Sequence, residues 1–290
     1  MTRFSDNSFT TAAKDAGRRL DQVLTDKAGL SRRRIRRAID DGGVYVNRRR
    51  CRKAGLICKA GAKLRLVILE DEYLMPLSEE QVLWQQDDLV LINKYAGQYA
   101  QEALHRSRGT IPAELAVLIG LTPEQARQLR PVHRLDRGTS GLMLLCWRPE
   151  LLNHFQINWR ECVAKEYLAV ISPAPAWQRQ RIRLPIGAAR DAAGRYAVDK
   201  EGGRACDTVA EVLETRQGRA LLRLTPHTGR THQLRVHLAH AGRPILGDKR
   251  YGGARHVRMM LHAHRLCVHP PALPRKMDWQ VEPDEETWTW

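Results

Sequence analysis

Apolar positions along the chain change period several times, and each change marks a different element. Leu20, Val23 and Leu24 fall at i, i+3 and i+4, the spacing of a short amphipathic helix that Gly29 can end. Ser31 stands as an N-cap before a second helix over residues 32–39, in which Ile35, Ala38 and Ile39 share one face. Asp41-Gly42-Gly43 reads as a turn and Val44-Tyr45-Val46 as a short strand. Residues 64–69 alternate and then become wholly apolar, as a strand against a small core would. Before these elements, residues 1–16 show no period and read as a loose, disordered leader. After them, Glu70-Asp71-Glu72, Pro76 and Ser78-Glu79-Glu80 turn acidic and turn-rich, which marks residues 67–81 as a linker.

Beyond the linker, Val82-Leu83-Trp84 and Leu89-Val90-Leu91-Ile92 predict successive strands, and residues 111–119 and 123–129 carry a helical period. Leu142-Met143-Leu144-Leu145 is an unbroken apolar run, the mark of a buried strand. A helix over 151–159, a strand over 165–171 and a loop over 173–185 follow. Residues 207–213 and 220–224 predict two paired strands joined across 215–219. Leu234, Leu238 and Ala241 then mark a helix that Gly242 and Pro244 stop, and residues 261–266 a further strand. Helices and strands alternate without βαβ spacing, which points to an α+β fold with a mostly antiparallel mixed sheet over 82–275. A small α/β-type module over 17–66 precedes it. Residues 276–290 form a tail with Trp279, Trp288 and Trp290 among acidic residues, and it carries no functional signal.

Charge sharpens this division. The 290 residues carry a formal net charge of +16, and residues 1–70 contain 18 Lys/Arg against 7 Asp/Glu, a net +11. So uneven a balance predicts a polyanionic partner, nucleic acid first. Arg32, Arg33, Arg34, Arg36 and Arg37 flank the apolar stripe of the second helix, and Arg48, Arg49 and Arg50 follow the strand after it. Both groups are placed to touch phosphates. Six cysteines stand at 51, 58, 146, 162, 206 and 267 with no C-x-x-C pair, which fits a reducing cytoplasm better than a disulfide framework. No apolar run approaches the length of a membrane span. No apolar seam marks an oligomer interface, so a monomer is expected.

The candidate chemistry centres on His133-Arg134-Leu135-Asp136-Arg137-Gly138-Thr139-Ser140-Gly141, which feeds the apolar run. One Asp lies between two Arg before a Gly/Thr/Ser turn. An anionic nucleophile held by cations on a loop suits catalysis, and an ordinary surface ion pair has the same local pattern. Histidines at 227, 232, 237, 240, 262, 264 and 269 lack the spacing of a metal site, there is no phosphate-binding glycine motif, and Ser140 lacks the spacing of a hydrolase nucleophile.

Three more stretches settle the choice: Lys165-Glu166-Tyr167, Arg230-Thr231-His232-Gln233-Leu234-Arg235 and Leu261-His262-Ala263. With His133-Arg134-Leu135-Asp136-Arg137 and Pro244-Ile245-Leu246-Gly247-Asp248, they make the chain from about 82 to 271 resemble the RluA-type pseudouridine synthase family. Residues 17–66 resemble the S-four-type (alpha-L) RNA-binding module. The resemblance implies an isomerase that flips a uridine out of structured RNA, detaches its base, and rejoins it through carbon-five without cofactor or metal. It implies that Asp136 is the nucleophile, that Tyr167 lies against the base and removes the carbon-five proton, that Arg235 pairs with Asp136, and that Arg134 fills the space left by the flipped nucleotide. Ribosomal RNA is favoured as substrate and transfer RNA stays open. The rival expectation is a non-catalytic RNA-binding or ribosome-assembly factor on the same fold, and a third is an RNA hydrolase using Asp136 as general base. Two positions depart from the family pattern. Gly138 replaces a short polar residue, which would loosen the turn, and Tyr95 replaces a proline, which removes a fixed φ.

Overall fold

The computed structural model describes residues 4–69, 75–189, 195–269, 273 and 275–290. Contacts divide the chain into two units, residues 1–77 with 99–122 and residues 78–98 with 123–290. The composition change near residue 80 marks only the first crossing between them. The second excursion, 99–122, has no compositional mark because long-range contacts define it: Arg50 Nη2 donates to the Ala103 carbonyl (2.7 Å) and the Tyr45 hydroxyl to the Leu104 carbonyl (2.9 Å).

The first unit contains β1 (Phe4–Thr10), α1 (Leu20–Ala28), α2 (Arg32–Asp41), β2 (Val44–Val46), β3 (Arg49–Arg50), β4 (Lys63–Leu69) and α3 (Ile111–Leu118). Its four strands run in the order β1-β4-β2-β3. The expected caps are in place. Gly29 ends α1 at φ 65°, and the Ser31 hydroxyl accepts the Arg34 N–H at the start of α2. Leu20, Val23, Leu24, Ile35, Ile39, Val44, Leu64 and Leu66 form the core between helices and sheet.

From Phe4 onward the expected leader is instead an edge strand and a 3-10 turn (Ala13–Asp15), while residues 1–3 lie outside the described residues. Every residue of β1 pairs antiparallel with β4, and the Thr11 hydroxyl donates to the Lys59 carbonyl (2.6 Å). These partners lie about fifty positions away, and β1 itself is mostly polar, so no local period announces it. Of the expected linker, Glu70-Asp71-Glu72 lie outside the described residues.

The second unit contains β5 (Val82–Gln86), β6 (Leu89–Lys94), α4 (Pro123–Gln128), β7 (Arg130–Pro131), β8 (Ser140–Cys146), α5 (Pro149–Ile157), α6 (Trp159–Cys162), β9 (Val163–Ile171), β10 (Arg179–Ile182), β11 (Ile186–Ala188), β12 (Tyr196–Val198), β13 (Thr208–Arg216), β14 (Arg219–Pro226), α7 (Gln233–His240), β15 (Leu261–Val268) and β16 (Met277–Gln280). A ten-stranded sheet takes the order β10-β13-β14-β9-β15-β8-β6-β5, with β7 on β8 and β16 on β15. All its pairs are antiparallel except β8 with β15, the mostly antiparallel α+β architecture read from the sequence.

That one parallel contact positions the site. It joins only two residue pairs, His262 with Ser140 and Ala263 with Gly141. Gly141 sits at φ 108°, and a Cβ there would lie 2.3 Å from the Ala263 carbonyl oxygen, so only glycine lets the two backbones meet. The turn before β8 therefore emerges at mid-sheet, beside β9 and β15.

Several elements differ from the local expectation. The β13–β14 hairpin turns on Gln217-Gly218 alone, both at positive φ, so its strands are longer than expected. Strand β10 occupies part of the expected loop. The tail begins with β16, paired to β15, and Trp279 packs on Trp84 with ring centroids 5.1 Å apart. No helix among the described residues is long and apolar enough to cross a membrane.

Candidate active site

Asp136 lies in the turn before β8, its side chain 26% exposed. Arg235, on the first turns of α7, donates from Nη1 to Asp136 Oδ2 at 2.7 Å, the pairing that the resemblance implies. The same guanidinium also binds Asp248 through Nε (2.7 Å) and Nη2 (2.8 Å). Asp248 is buried and accepts the backbone N–H groups of Arg250 and Tyr251 as well. One buried cation thus spans two carboxylates, one structural and one presented to solvent. Burial alone would disfavour the Arg235 charge; Asp248 and Asp136 outweigh it and hold its pKa above the ordinary guanidinium value. Asp248 stood in the recognised Gly247-Asp248 stretch, yet nothing local paired it with Arg235.

His232 precedes α7 in a left-handed conformation (φ 56°), which turns its ring to the site. Its Nε2 lies 3.8 Å from Asp136 Oδ2 and its Nδ1 meets the Tyr251 hydroxyl at 2.7 Å. Burial pulls the His232 pKa down to about 4 against the opposing pull of Asp136, so the ring is neutral at physiological pH. Both side-chain contacts of Asp136 fall on Oδ2, and among the described residues none falls on Oδ1.

Tyr167 is buried on β9, directly opposite Ala263 of β15. Burial, and then the Asp136 charge, push its hydroxyl well above the usual phenol range. Lys165, two positions earlier on the same strand face, stands with its Nζ 5.0 Å from the Trp159 ring centroid and 5.9 Å from that of Tyr167. Desolvation brings its amine down to about 8.

Lys94 is the residue that sequence reasoning missed. It ends β6 as a fully buried lysine, and its ammonium donates to the carbonyls of Tyr95 (3.0 Å), Arg137 (3.1 Å) and Thr139 (2.6 Å). Two of those carbonyls belong to the turn carrying Asp136. Burial lowers the Lys94 pKa to about 7, with Asp136 opposing and Arg258 and Arg137 reinforcing the shift. A lysine closing an apolar strand was the available signal.

The two departures from the family pattern now have a setting. The turn at Gly138 is held by Lys94, by Thr139 N–H to the Asp136 carbonyl (3.0 Å) and by Gly97 N–H to the Arg137 carbonyl (2.7 Å). A Cβ at Gly138 would meet only the flexible Met259 side chain, at 3.3 Å. Tyr95 gives up a fixed φ but gains an N–H, which donates to Gln98 Oε1 at 2.8 Å. Gln98 is itself locked in a reciprocal buried amide pair with Gln81.

In the N-terminal unit, the arginines expected to meet phosphate divide into two groups. Asp21 is fully buried and receives Arg19 Nε (3.1 Å), Arg32 Nη2 (3.1 Å) and Arg36 Nε (3.0 Å). Arg32 and Arg36 therefore hold the helix pair together as well as facing outward. Arg50 donates to the carbonyls of Gly42 and Ala103, a structural role. Arg33, Arg37, Arg48 and Arg49 are exposed, as is Arg134 in the second unit, and Arg34 is half-buried. Arg32, Arg33, Arg36 and Arg37 line one surface hollow with Asp40.

Burial by itself would raise the Asp21 carboxyl. Hydrogen bonds from Arg19, Arg36 and Arg32 outweigh it and hold the group far below the usual range. A carboxyl depressed in the folded state adds stability that is complete above its unfolded pKa and is lost as pH falls. Thermal unfolding followed against pH should show this loss setting in below about pH 4. Asp21→Asn should lower the neutral-pH melting temperature and remove that part of the acid dependence. An acid profile unaltered by the substitution would count against the network.

Residues 88–240 match the family model of the RNA pseudouridylate synthases, more than half of the chain, and residues 18–64 match that of the S4 domain. The chain belongs to the RNA pseudouridylate synthase family. This synthase is 32% identical over 281 residues to the ribosomal large subunit pseudouridine synthase C of Escherichia coli, spanning 90% of this chain and 86% of that protein. Its identity to the protein of the same description in Vibrio parahaemolyticus is 30% over 280 residues, 89% and 86% of the two chains. The solved structure of human RNA Pseudouridylate Synthase Domain Containing 1 matches with a TM-score of 0.58 at 27% identity, over 72% of this chain and 86% of that one. The synthase is thus an isomerase that converts uridine in RNA to pseudouridine, with an S4 RNA-binding domain at its N-terminal end.

Proposed function

We propose that this synthase isomerises uridines of ribosomal RNA, with Asp136 as the nucleophile, Tyr167 against the base, and Arg235 holding Asp136. The carrying observation is the Asp136–Arg235–Asp248 bridge. It keeps a carboxylate at the surface of a buried cation with one oxygen turned to the substrate. The bond from N1 to the ribose C1′ breaks, the bond from C5 to C1′ forms, the C5 proton departs and N1 takes up a proton, so RNA length and mass do not change. Arg134, exposed and two positions from Asp136, occupies the space of the nucleotide as it leaves the stack. Tyr167 is the platform for the flipped base in the resting site. To act as a base it first gives up its own proton, which goes to N1 as the N1–C1′ bond breaks, and it then takes the C5 proton; burial and the Asp136 charge both hold the phenol proton in place, and bonding of the carboxylate removes the second of these.

Ribosomal RNA as substrate is supported by the names of the bacterial relatives and by the cationic N-terminal unit, where exposed Arg33, Arg37, Arg48 and Arg49 offer salt-dependent phosphate contacts. Action on ribosomal RNA fits a cytoplasmic enzyme, and we take it to act there as a monomer. Pseudouridine mapping in total RNA, with and without the protein, tests the substrate. New sites confined to ribosomal RNA are expected, and sites confined to transfer RNA would overturn the choice. Cleaved RNA or released uracil would point to the hydrolase instead.

A further inference from the structure

The tail of the chain lies against the support of the Asp136 turn. Ser140 is the first residue of β8, four positions after Asp136, and its hydroxyl is held from two sides. His262 Nδ1 meets it at 2.8 Å, and Arg258 donates to it from Nη2. The tail in turn holds both partners. Arg258 Nη1 donates to the Thr287 hydroxyl (3.2 Å), and its guanidinium sits 5.5 Å from the Trp288 ring centroid. His262 Nε2 donates to the Val281 carbonyl (2.9 Å), and Trp288 meets the His262 ring edge-on at 6.0 Å. The outer contacts extend along the tail: His264 with the Val281 carbonyl, His256 with the Thr289 carbonyl, and Arg216 stacked 4.0 Å from Trp290.

Arg258 is the notable member. Its hydrogen bonds among the described residues go to two hydroxyls and a backbone carbonyl, with no carboxylate among the acceptors. Burial lowers its pKa, and the charge of Asp284 in the tail opposes that shift from beyond hydrogen-bond distance. A cation half-withdrawn from water without a carboxylate at hydrogen-bond distance is costly to keep. A substitution by a neutral residue would relieve that cost, so what Arg258 supplies is the orientation of its partners rather than stability. What it orients is Ser140, at the place where the turn enters the sheet and where Gly141 already brings β8 onto β15.

We propose that residues 281–290 belong to the catalytic apparatus: they seat Arg258 and His262 against Ser140, and Arg258 is thereby a positioning residue for Asp136. This rests on the reading of Asp136 as nucleophile. A carboxylate displaced by about 1 Å from its attack position can lose about a hundredfold in rate with no change in substrate binding. The tail therefore acts on kcat, whereas the arginines of the N-terminal unit act on RNA affinity.

The test compares the full chain with a variant lacking residues 282–290, with Trp288→Ala and with Arg258→Lys. Pseudouridine formation is measured on an unmodified ribosomal RNA transcript, alongside RNA affinity and melting temperature. The deletion should lower kcat about ten- to a hundredfold while KM and RNA affinity stay within about twofold. Trp288→Ala should fall between the deletion and the full chain. Adding a synthetic peptide of residues 282–290 to the deletion variant should restore part of kcat. If the deletion variant fails to fold, the point variants carry the same comparison. A kcat unchanged in folded variants, or a rise in KM at constant kcat, overturns the proposal. Asp136→Ala is run in parallel. Activity retained there defeats the nucleophile reading itself, whereas a dead Asp136→Ala beside fully active tail variants defeats only the role of the tail.

Discussion

Asp136→Ala should abolish pseudouridine formation, by about ten-thousandfold or more, and leave RNA affinity within a few-fold. The loss is large because, with Asp136 as the proposed nucleophile, no second carboxylate among the described residues stands ready to replace it. Asp248 is the nearest in chemistry, but both its oxygens are committed to Arg235, and it is buried where no substrate reaches. The fold should survive. Arg235 keeps its two bonds to Asp248, so the substitution removes one acceptor and strands no buried charge. RNA affinity should hold because the N-terminal arginines are untouched. Chemical labelling of pseudouridine after incubation with RNA reads the first expectation, and a salt titration of RNA binding reads the second. Pseudouridine made by the variant at a rate near that of the parent would remove Asp136 from the mechanism.

Arg235→Met should cost both activity and stability, and the two losses can be separated. Without the guanidinium, Asp248 is left in the interior with only the backbone N–H groups of Arg250 and Tyr251 as donors among the described residues. Stranding one partner of a buried ion pair costs about 3–5 kcal/mol. Adding Asp248→Leu to Arg235→Met removes the stranded charge and should recover most of that stability, because apolar replacement of a buried pair is often close to neutral. Activity should not return, since Asp136 still lacks the cation that holds Oδ2. Denaturant unfolding and pseudouridine assays on the two single variants and the double variant give the complete cycle. Recovery of activity together with stability would show that Arg235 serves the fold alone.

Part of the candidate site is legible in the sequence. Asp136, Tyr167 and Arg235 stand in stretches whose order is recognisable, and the fold brings Asp136 and Arg235 to 2.7 Å. Other residues have no such mark. Lys94 looks like the solvent-facing end of a strand until three carbonyls converge on it. Arg32 and Arg36 read as phosphate ligands because their charge is visible in sequence and their bond to Asp21 is not. The tail reads as inert because its Trp and Thr residues have no period, and their partners lie in the turn before β15 and at its start.

The elements that can be read along the chain are those whose cause is local. The capped helices α1 and α2, the apolar run of β8 and the Gly-Thr-Ser turn after Asp136 all follow from period, capping and turn chemistry within a few residues. The net charge of +16 is equally a property of the sequence. Which charges meet is a matter for the folded chain. Arg235 and Asp136 are 99 positions apart, and Ser140 and His262 are 122 apart. Such pairings depend on the path of a sheet whose centre is a single short parallel contact, β8 on β15. Burial then decides what each pairing is worth, because an arginine exposed to water is a weak partner, whereas buried Arg235 is a firm anchor for the Asp136 carboxylate.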